Sequence, residues 1–329
     1  MRGIDGLIDG YGREINYLRI SVTDRCNLRC RYCMPPGEVA SVPCREMLTL
    51  EEIARVAGVL ARIGIKKVRL TGGEPLLRRN VTGLIRQLHE TEGIEQLALT
   101  TNGVLLKSLL PELIACGLNA VNISLDTLDA DIYRRITGSD GLGTVLGGLD
   151  AAYDRGLRVR VNCVPCRELN SMEPLRLAGI ARDRAIDVRF IELMPIGQGR
   201  LFTGIPSEEI LEGLSAAYGM PRPLPCSGEG TARYYVFDGF RGRVGFISPI
   251  THRFCADCNR LRLTSEGWLK LCLYYSDGID LRKLLRSGAS DAELAVAIGQ
   301  ALKHKPREHS FGRRGTPAAE RHRMNQIGG

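Results

Sequence analysis

Short apolar runs rich in β-branched residues alternate with helical patterns through the first two thirds of this 329-residue chain, and that alternation restricts the fold more than any other feature. The strand candidates are Tyr17 to Val22, Val68 to Thr71, Leu97 to Thr100, Ala120 to Leu125, Arg158 to Val164 and Val188 to Ile191. Helical segments lie between them, at Leu50 to Arg62, Val81 to Glu90, Ser108 to Cys116, Thr144 to Arg155 and Glu173 to Arg184. The first opens on a capping box, Thr49 with Glu52 three residues on, and closes at Gly64. Strands that read as nearly continuous apolar runs predict a parallel sheet covered by helices on both faces. Six βα units fall two short of a closed eight-unit barrel, so the expected fold is α/β, an incomplete (β/α)6 TIM-like barrel with an open side. Chemistry is expected at the carboxyl ends of the strands.

After Phe202 the pattern lapses, and PRPLPCSGEG at 221–230 has the proline and glycine content of a linker. Beyond it, Arg233 to Phe237 with Arg243 to Ile247, and Arg260 to Thr264 with Trp268 to Leu273, read as hairpins, followed by helices at Asp280 to Leu285 and Asp291 to Leu302. The expected organisation is a partial barrel over 1–220 and an α+β C-terminal domain over 221–329 that closes the open side. With 44% hydrophobic and 25% charged residues the chain is neither a disordered polyelectrolyte nor a fibre. No run approaches the roughly 20 apolar residues that span a bilayer, and the charged, glycine-bearing start is unlike a signal peptide, so a cytoplasmic protein with no membrane partner is expected. Of the net charge of +8, five units lie beyond residue 302, where seven basic residues face two acidic ones. With 5% aromatics and no interleaved stacking residues, this basic tail points to a polyphosphate or to plain solvation rather than to nucleic acid.

Eleven cysteines in a reducing compartment point to metal or redox chemistry when they cluster. Cys26, Cys30 and Cys33 form CxxxCxxC directly after the first strand. Three thiolates hold three irons of a 4Fe-4S cluster and leave the fourth open to a small molecule, whereas structural zinc wants four ligands. TGGEP at 71–75 follows the second strand, where glycines admit a close ligand and Glu74 can pair with an ammonium group. A second triad, Cys255, Cys258 and Cys272, is either another open cluster or, with Cys226, a four-thiolate zinc site. In the strand that follows Cys258, Arg260 and Arg262 share one face, a pair suited to clamping phosphate, while Leu261 and Leu263 take the other. Arg19, Arg69 and Arg160 sit on neighbouring strands that can aim them into one lumen. Cys44, Cys116, Cys163, Cys166 and, outside the zinc alternative, Cys226 read as buried structural thiols, and Asp126 as a loop-ordering residue.

The CxxxCxxC motif with Tyr32 before its last cysteine, together with TGGEP, resembles the radical S-adenosylmethionine (SAM) superfamily. Adding LRISVTDRCNLRCRYCMP, TTNG, RFIELMP, FCADCNRLRLT, LCLY and the closing Ile327-Gly328-Gly329, essentially the whole chain resembles the GTP 3′,8-cyclase family of molybdenum cofactor biosynthesis. The resemblance implies two 4Fe-4S clusters, SAM as the radical source and GTP as substrate, with abstraction of the ribose 3′ hydrogen and addition of the ribosyl radical to guanine C8. It implies that Cys26, Cys30 and Cys33 hold the SAM cluster and that Cys255, Cys258 and Cys272 hold the substrate-side cluster. Tyr32, Gly73, Ser124 and Met194 fall at SAM-contacting positions, and Arg19, Arg69, Thr100, Arg260, Leu261 and Arg262 at GTP-contacting ones, Arg260 and Arg262 also counting as catalytic. Arg160 stands where the family commonly has lysine, which keeps the charge but changes the donor geometry. The terminal double glycine is expected to thread back to the active site. Implied partners are a flavodoxin- or ferredoxin-like reductant, cyclic pyranopterin monophosphate synthase as the next enzyme, and a second copy in a homodimer. The competing readings are a peptide-modifying radical SAM enzyme and a zinc-stabilised nucleic-acid-binding module.

Overall fold

Every one of the six expected strands forms, in a computed structural model that describes residues 6–37, 41–225, 231–311, 320 and 322–328. They are β1 (Tyr17–Ser21), β2 (Lys67–Thr71), β3 (Gln96–Thr101), β4 (Ala120–Ser124), β5 (Arg158–Cys163) and β6 (Asp187–Ile191), paired parallel in sequence order. The later strands are β7 (Arg222–Pro223), β8 (Arg233–Val236), β9 (Val244–Ile247), β10 (Arg260–Leu263), β11 (Trp268–Lys270) and β12 (Gly278–Asp280). The two expected hairpins form as β8–β9 and β10–β11, but they do not stand apart from the barrel. β9 joins β6 in parallel and β10 joins β1 in parallel, giving one twelve-stranded sheet in the order β12-β11-β10-β1-β2-β3-β4-β5-β6-β9-β8-β7. The sheet curls without closing, and residues 248–259 run from the carboxyl end of β9 to the amino end of β10 across the side left open.

The helices that cover the sheet are α1 (Leu50–Arg62), α2 (Val81–His89), α3 (Leu106–Ala115), α4 (Ala130–Thr137), α5 (Leu142–Asp154), α6 (Arg167–Asn170), α7 (Glu173–Asp183), α8 (Ser207–Tyr218), α9 (Leu281–Arg286), α10 (Asp291–Leu302) and α11 (Met324–Ile327). The capping box of α1 forms as expected, with the Glu52 amide donating to Thr49 Oγ1 and the Thr49 amide to Glu52 Oε2. α4, α8 and the single-turn α6 and α11 are absent from the sequence reading. α4 is short and anchored mainly by its cap, Asp129, whose Oδ1 accepts the amides of Asp131 and Ile132. α8 buries only Ile210 and Leu214 among its apolar residues, too few to show a period. None of the helices described is long and apolar enough to cross a membrane.

The strands also depart from the continuous apolar pattern. Leu18 and Ile20, Val68 and Leu70, Leu97 and Leu99, Val121 and Ile123, Val159 and Val161, and Val188 and Phe190 are buried in the main apolar core with the helices. The residues between them are polar in five of the six strands (Arg19, Arg69, Asn122, Arg160 and Arg189, against Ala98 in β3), which is the alternation of a sheet with one apolar face and one functional face. Registers align these inner positions: Arg19 stands beside Arg69 and Arg262, Thr100 beside Asn122, and Asn162 beside Arg189. Leu70→Ala removes a wholly buried side chain from the outer layer and is expected to cost about 2–5 kcal/mol in chemical denaturation of the metal-free protein.

Candidate active site

The lumen holds a cavity of about 350 Å3 lined by both cysteine triads and by Arg19, Arg69, Arg160, Arg189, Arg260 and Arg262. All of the expected site residues line it except Leu261, whose side chain is wholly buried in the apolar core, and Glu74. The parallel register separates the triads along the strands. Cys26, Cys30 and Cys33 lie past the carboxyl end of β1, whereas Cys258 precedes β10 by two residues and so lies near the amino end of the same layer. β1 has five residues, so the two levels stand roughly 15 Å apart at the rise of a strand. The first triad meets the expectation of chemistry at the carboxyl ends of the strands; the second does not, because the C-terminal segment enters from the open side and brings it to the opposite level.

The first triad is held by backbone. The Cys33 and Met34 amides both donate to the Cys30 carbonyl at 2.9 Å, and the Arg29 and Arg31 amides dock on the Thr137 and Ile136 carbonyls at the end of α4. The Leu28 amide donates to Cys26 Sγ at 3.4 Å. Burial, reinforced by Asp126 and the neighbouring sulfurs, raises the Cys30 thiol well above its ordinary range, and burial with Cys26 pushes Cys33 up to about 12. Three thiols crowded in this way become thiolates when a bound metal supplies positive charge. Among the described residues no three His, Cys, Asp or Glu side chains are placed to hold a single metal ion. Separate irons of a cluster, each taking one thiolate, require no such convergence, so thiol-only triads fit 4Fe-4S clusters. Cys226, the fourth ligand of the zinc alternative, lies outside the described residues.

TGGEP supports this loop instead of reaching a ligand with its carboxylate. The Gly73 and Glu74 amides donate to the Thr23 and Arg25 carbonyls, each at 2.7 Å. A Cβ on Gly73 would stand 2.3 Å from Arg25 O, which is why only glycine fits. Glu74 is fully buried and does not line the cavity; its carboxylate accepts from the Leu76 amide, Thr101 Oγ1 and the Asn102 amide. The expected pairing of Glu74 with an ammonium is replaced by a tie between the strand ends, and burial raises Glu74 to about 7. Asp126 acquires a firm role: it accepts from Tyr32 Oη at 2.6 Å and from the Val164 amide at 2.9 Å, fixing Tyr32 against the end of β5. Cys163 and Cys166 are fully buried beside it and Cys116 is buried too, as expected of structural thiols, whereas Cys44 is exposed, in the short turn before α1. Ser124 stands exposed at the end of β4, and Met194 lines the cavity beside the apolar group around Tyr274.

Arg189 is the chief residue that sequence reasoning missed. Its Nε donates to Asn162 Oδ1 and its NH2 to Asn122 Oδ1, and Asn122 Nδ2 donates on to Thr100 Oγ1. Extending the alternation of Arg19 and Arg69 to the sixth strand would have found it. Arg160 lies 3.6 Å from Asp187, which already takes a bidentate pair from Arg243. Burial lowers Arg189 and Arg262 to about 10, each helped by neighbouring guanidiniums. Arg262 donates to the Gly328 carbonyl at 2.6 Å, so the expected Arg260 and Arg262 phosphate clamp is divided between lumen and tail.

That tail returns to the site. Gly328, with φ +72°, is seated where a Cβ would stand 2.3 Å from Thr71 Oγ1, at the end of β2. Asn325 Nδ2 donates to the Asp24 carbonyl, and the Asn325 amide to the Cys33 sulfur. Gly329 lies outside the described residues. Lys270 and Glu320 form a buried ion pair under the tail, and His322 Nδ1 lies 2.7 Å from Glu320 Oε1. Part of the basic stretch is also buried: Lys305 donates to the Arg260 and Leu271 carbonyls. Burial would raise the Cys258 thiol, but Lys305 and Arg260 outweigh it and lower it. Glu192 accepts the Ile250 and Thr251 amides, anchoring the segment that crosses the open side.

Fold and paired triads define a radical SAM enzyme, and residues 20–176 match the radical SAM superfamily while 186–311 match Molybdenum Cofactor Synthesis C. SuiB of Streptococcus suis bound to S-adenosylmethionine shares the fold at a TM-score of 0.60 and 14% identity, over 87% of this chain and 68% of that one. The GTP 3′,8-cyclase of Desulforamulus reducens is 45% identical over 98% of this chain and 100% of its own length. Those of Moorella thermoacetica and Clostridium perfringens are 46% and 44% identical over 98% of this chain and 99% of theirs. The chain belongs to the GTP 3′,8-cyclase family.

Gly73→Ala is expected to displace the first cysteine loop, lowering stability by about 1–3 kcal/mol and iron uptake on reconstitution, whereas Gly58→Ala, inside α1 with open space around it, leaves iron uptake unchanged and raises stability by up to about 1 kcal/mol. The tail anchor has its own pH window. Burial alone would raise Glu320, but His322 and Lys270 outweigh it and hold it at about 2, so its contribution is present above the ordinary carboxylate range and lost in acid. The Glu320 hydrogen bond raises His322, so its contribution is present below the ordinary histidine range and lost as pH climbs through the raised value. Hydrogen exchange corrected for intrinsic rates should show residues 322–328 better protected at pH 6 than in more alkaline buffer, and His322→Gln should flatten the difference.

Proposed function

We propose that this chain converts GTP to (8S)-3′,8-cyclo-7,8-dihydro-GTP, the 5′-deoxyadenosyl radical taking the ribose 3′ hydrogen, the ribosyl radical closing on C8, and one further electron from the reductant with a proton completing the dihydro product. The observation that carries this reading is one cavity with a thiol triad at either level and a belt of arginines between them. Cys26, Cys30 and Cys33 would hold the cluster that, with SAM bound, supplies the electron for sulfonium cleavage. Tyr32, Gly73, Ser124 and Met194 border that level and would receive SAM, Tyr32 being fixed by Asp126. Cys255, Cys258 and Cys272 would hold the second cluster, where an open iron can take a substrate nitrogen or oxygen. Arg19, Arg69, Arg160, Arg189 and Arg260 would hold the triphosphate, with Thr100 alongside, and Leu261 can contribute only backbone. Arg262 would act through Gly328 as well as on substrate, bringing the tail to the reacting end.

The division of the chain near residue 220 belongs to this reading, the part beyond it supplying the second triad, the crossing segment and the tail. A low-potential reductant of the flavodoxin or ferredoxin class, a homodimeric assembly, delivery of product to cyclic pyranopterin monophosphate synthase, and a cytoplasmic site where GTP and SAM are at hand complete it. Anaerobically reconstituted, reduced protein should form 5′-deoxyadenosine and the cyclised nucleotide from SAM and GTP. Cys26→Ser should abolish both products, while Cys272→Ser should retain some SAM cleavage and lose cyclisation. Zinc in place of iron after oxygen-free handling would overturn the reading.

A further inference from the structure

Tyr17 opens β1, level with Arg260 on β10 and Lys67 on β2, and lines the cavity. Two guanidiniums lie over its ring, Arg69 at 5.6 Å and Arg260 at 5.5 Å from the centroid. Such contacts carry weight in a desolvated setting, because the ring quadrupole attracts a cation that water no longer solvates. The Tyr17 hydroxyl is buried and has no hydrogen-bond partner, and the Nε atoms of Arg69 and Arg260 are in the same condition. Buried hydroxyls nearly always find a partner, since leaving one unmade costs more than a bond is worth when made. A buried phenol donor without a partner, beside two guanidiniums whose Nε atoms also lack one, suits an acceptor with several negatively charged oxygens, even though Arg260 donates elsewhere to Thr231 Oγ1.

The electrostatics agree with that geometry. Burial on its own would raise the phenol, yet Arg69, Arg19, Arg260 and Arg189 outweigh it and bring it to about 8. The positive field at the hydroxyl is therefore strong enough to favour an anion there, whether the phenol's own or a ligand's.

We propose that Tyr17 is a substrate-binding residue whose hydroxyl donates to the polyphosphate of the nucleotide while its ring fixes the facing pair Arg69 and Arg260. The assignment deepens the GTP reading and rests on it for the identity of the nucleotide. Tyr17→Phe deletes the donor and keeps the ring; Tyr17→Leu deletes both. Calorimetric binding to reconstituted protein is compared for GTP, GMP, guanosine and inorganic tripolyphosphate, with iron content and circular dichroism verifying that each variant is folded and loaded. A hydrogen bond to a charged acceptor is worth about ten- to a hundredfold in affinity, so Tyr17→Phe should weaken GTP and tripolyphosphate by that factor and leave guanosine unchanged. Tyr17→Leu should weaken the two polyphosphates further. Unchanged GTP affinity in Tyr17→Phe, or an equal loss for guanosine, overturns the assignment. If wild-type protein binds tripolyphosphate but not GTP, the nucleotide reading fails and the Tyr17 comparison on tripolyphosphate still decides; if it binds neither, both fail.

Discussion

Six guanidiniums in one lumen repel each other, and much of this structure is arranged around that repulsion. Arg19, Arg69, Arg160, Arg189, Arg260 and Arg262 line the cavity, and burial together with their own mutual field lowers the affinity of Arg19, Arg69, Arg189 and Arg262 for a proton. The protein offers them only partial compensation. Asn122 and Asn162 accept from Arg189, Asp187 divides its carboxylate between Arg243 and Arg160, Tyr17 lends a ring to two neighbours and the tail lends a carbonyl to Arg262. Neutral acceptors and π-faces orient a cation without cancelling its charge, which leaves the cavity poised for a polyanion. A cavity neutralised by carboxylates would be more stable on its own and poorer at holding a triphosphate.

The tail extends the same logic to the upper level. Glu320 is held by its buried ion pair with Lys270, and residues 322–328 reach across to Arg262, Thr71 and the amide contact at Cys33. Breaking one partner of a buried pair leaves the other charge uncompensated, typically at a cost of 3–5 kcal/mol, so the pair holds the tail in one place. The last described glycine thus joins the arginine belt to the ends of β1 and β2. The first triad, the belt and the tail form one mechanical unit, which connects placement of substrate to the level where SAM would sit.

Much of the site was legible in one dimension because its donors come in local spacings. CxxxCxxC and CxxC each place sulfurs on one short loop, and the alternation of Arg260 with Leu261 needs only the period of a strand. Arg189 was legible in principle by the same period. Glu74 misled, since nothing in TGGEP distinguishes a carboxylate aimed at a ligand from one turned back to cap Leu76 and Asn102. Lys305 and Glu320 misled too, because a charged residue in a basic tail reads as solvated until its burial is known. The helices α4 and α8 went unread for want of enough buried apolar residues to set a period.

The amino-acid order by itself determined the parallel βα layer, the two thiol triads and the inward polar positions, since hydrophobic periodicity and ligand spacing act over a few residues. Tertiary structure alone decided that β9 and β10 extend the same sheet, that the second triad arrives at the amino-terminal level, and that the tail closes onto β1 and β2. Those outcomes depend on contacts between distant segments, such as Arg262 beside Arg19 across 243 residues and Asn325 on Asp24 across 301, where many partners satisfy local rules and only the packed whole selects one.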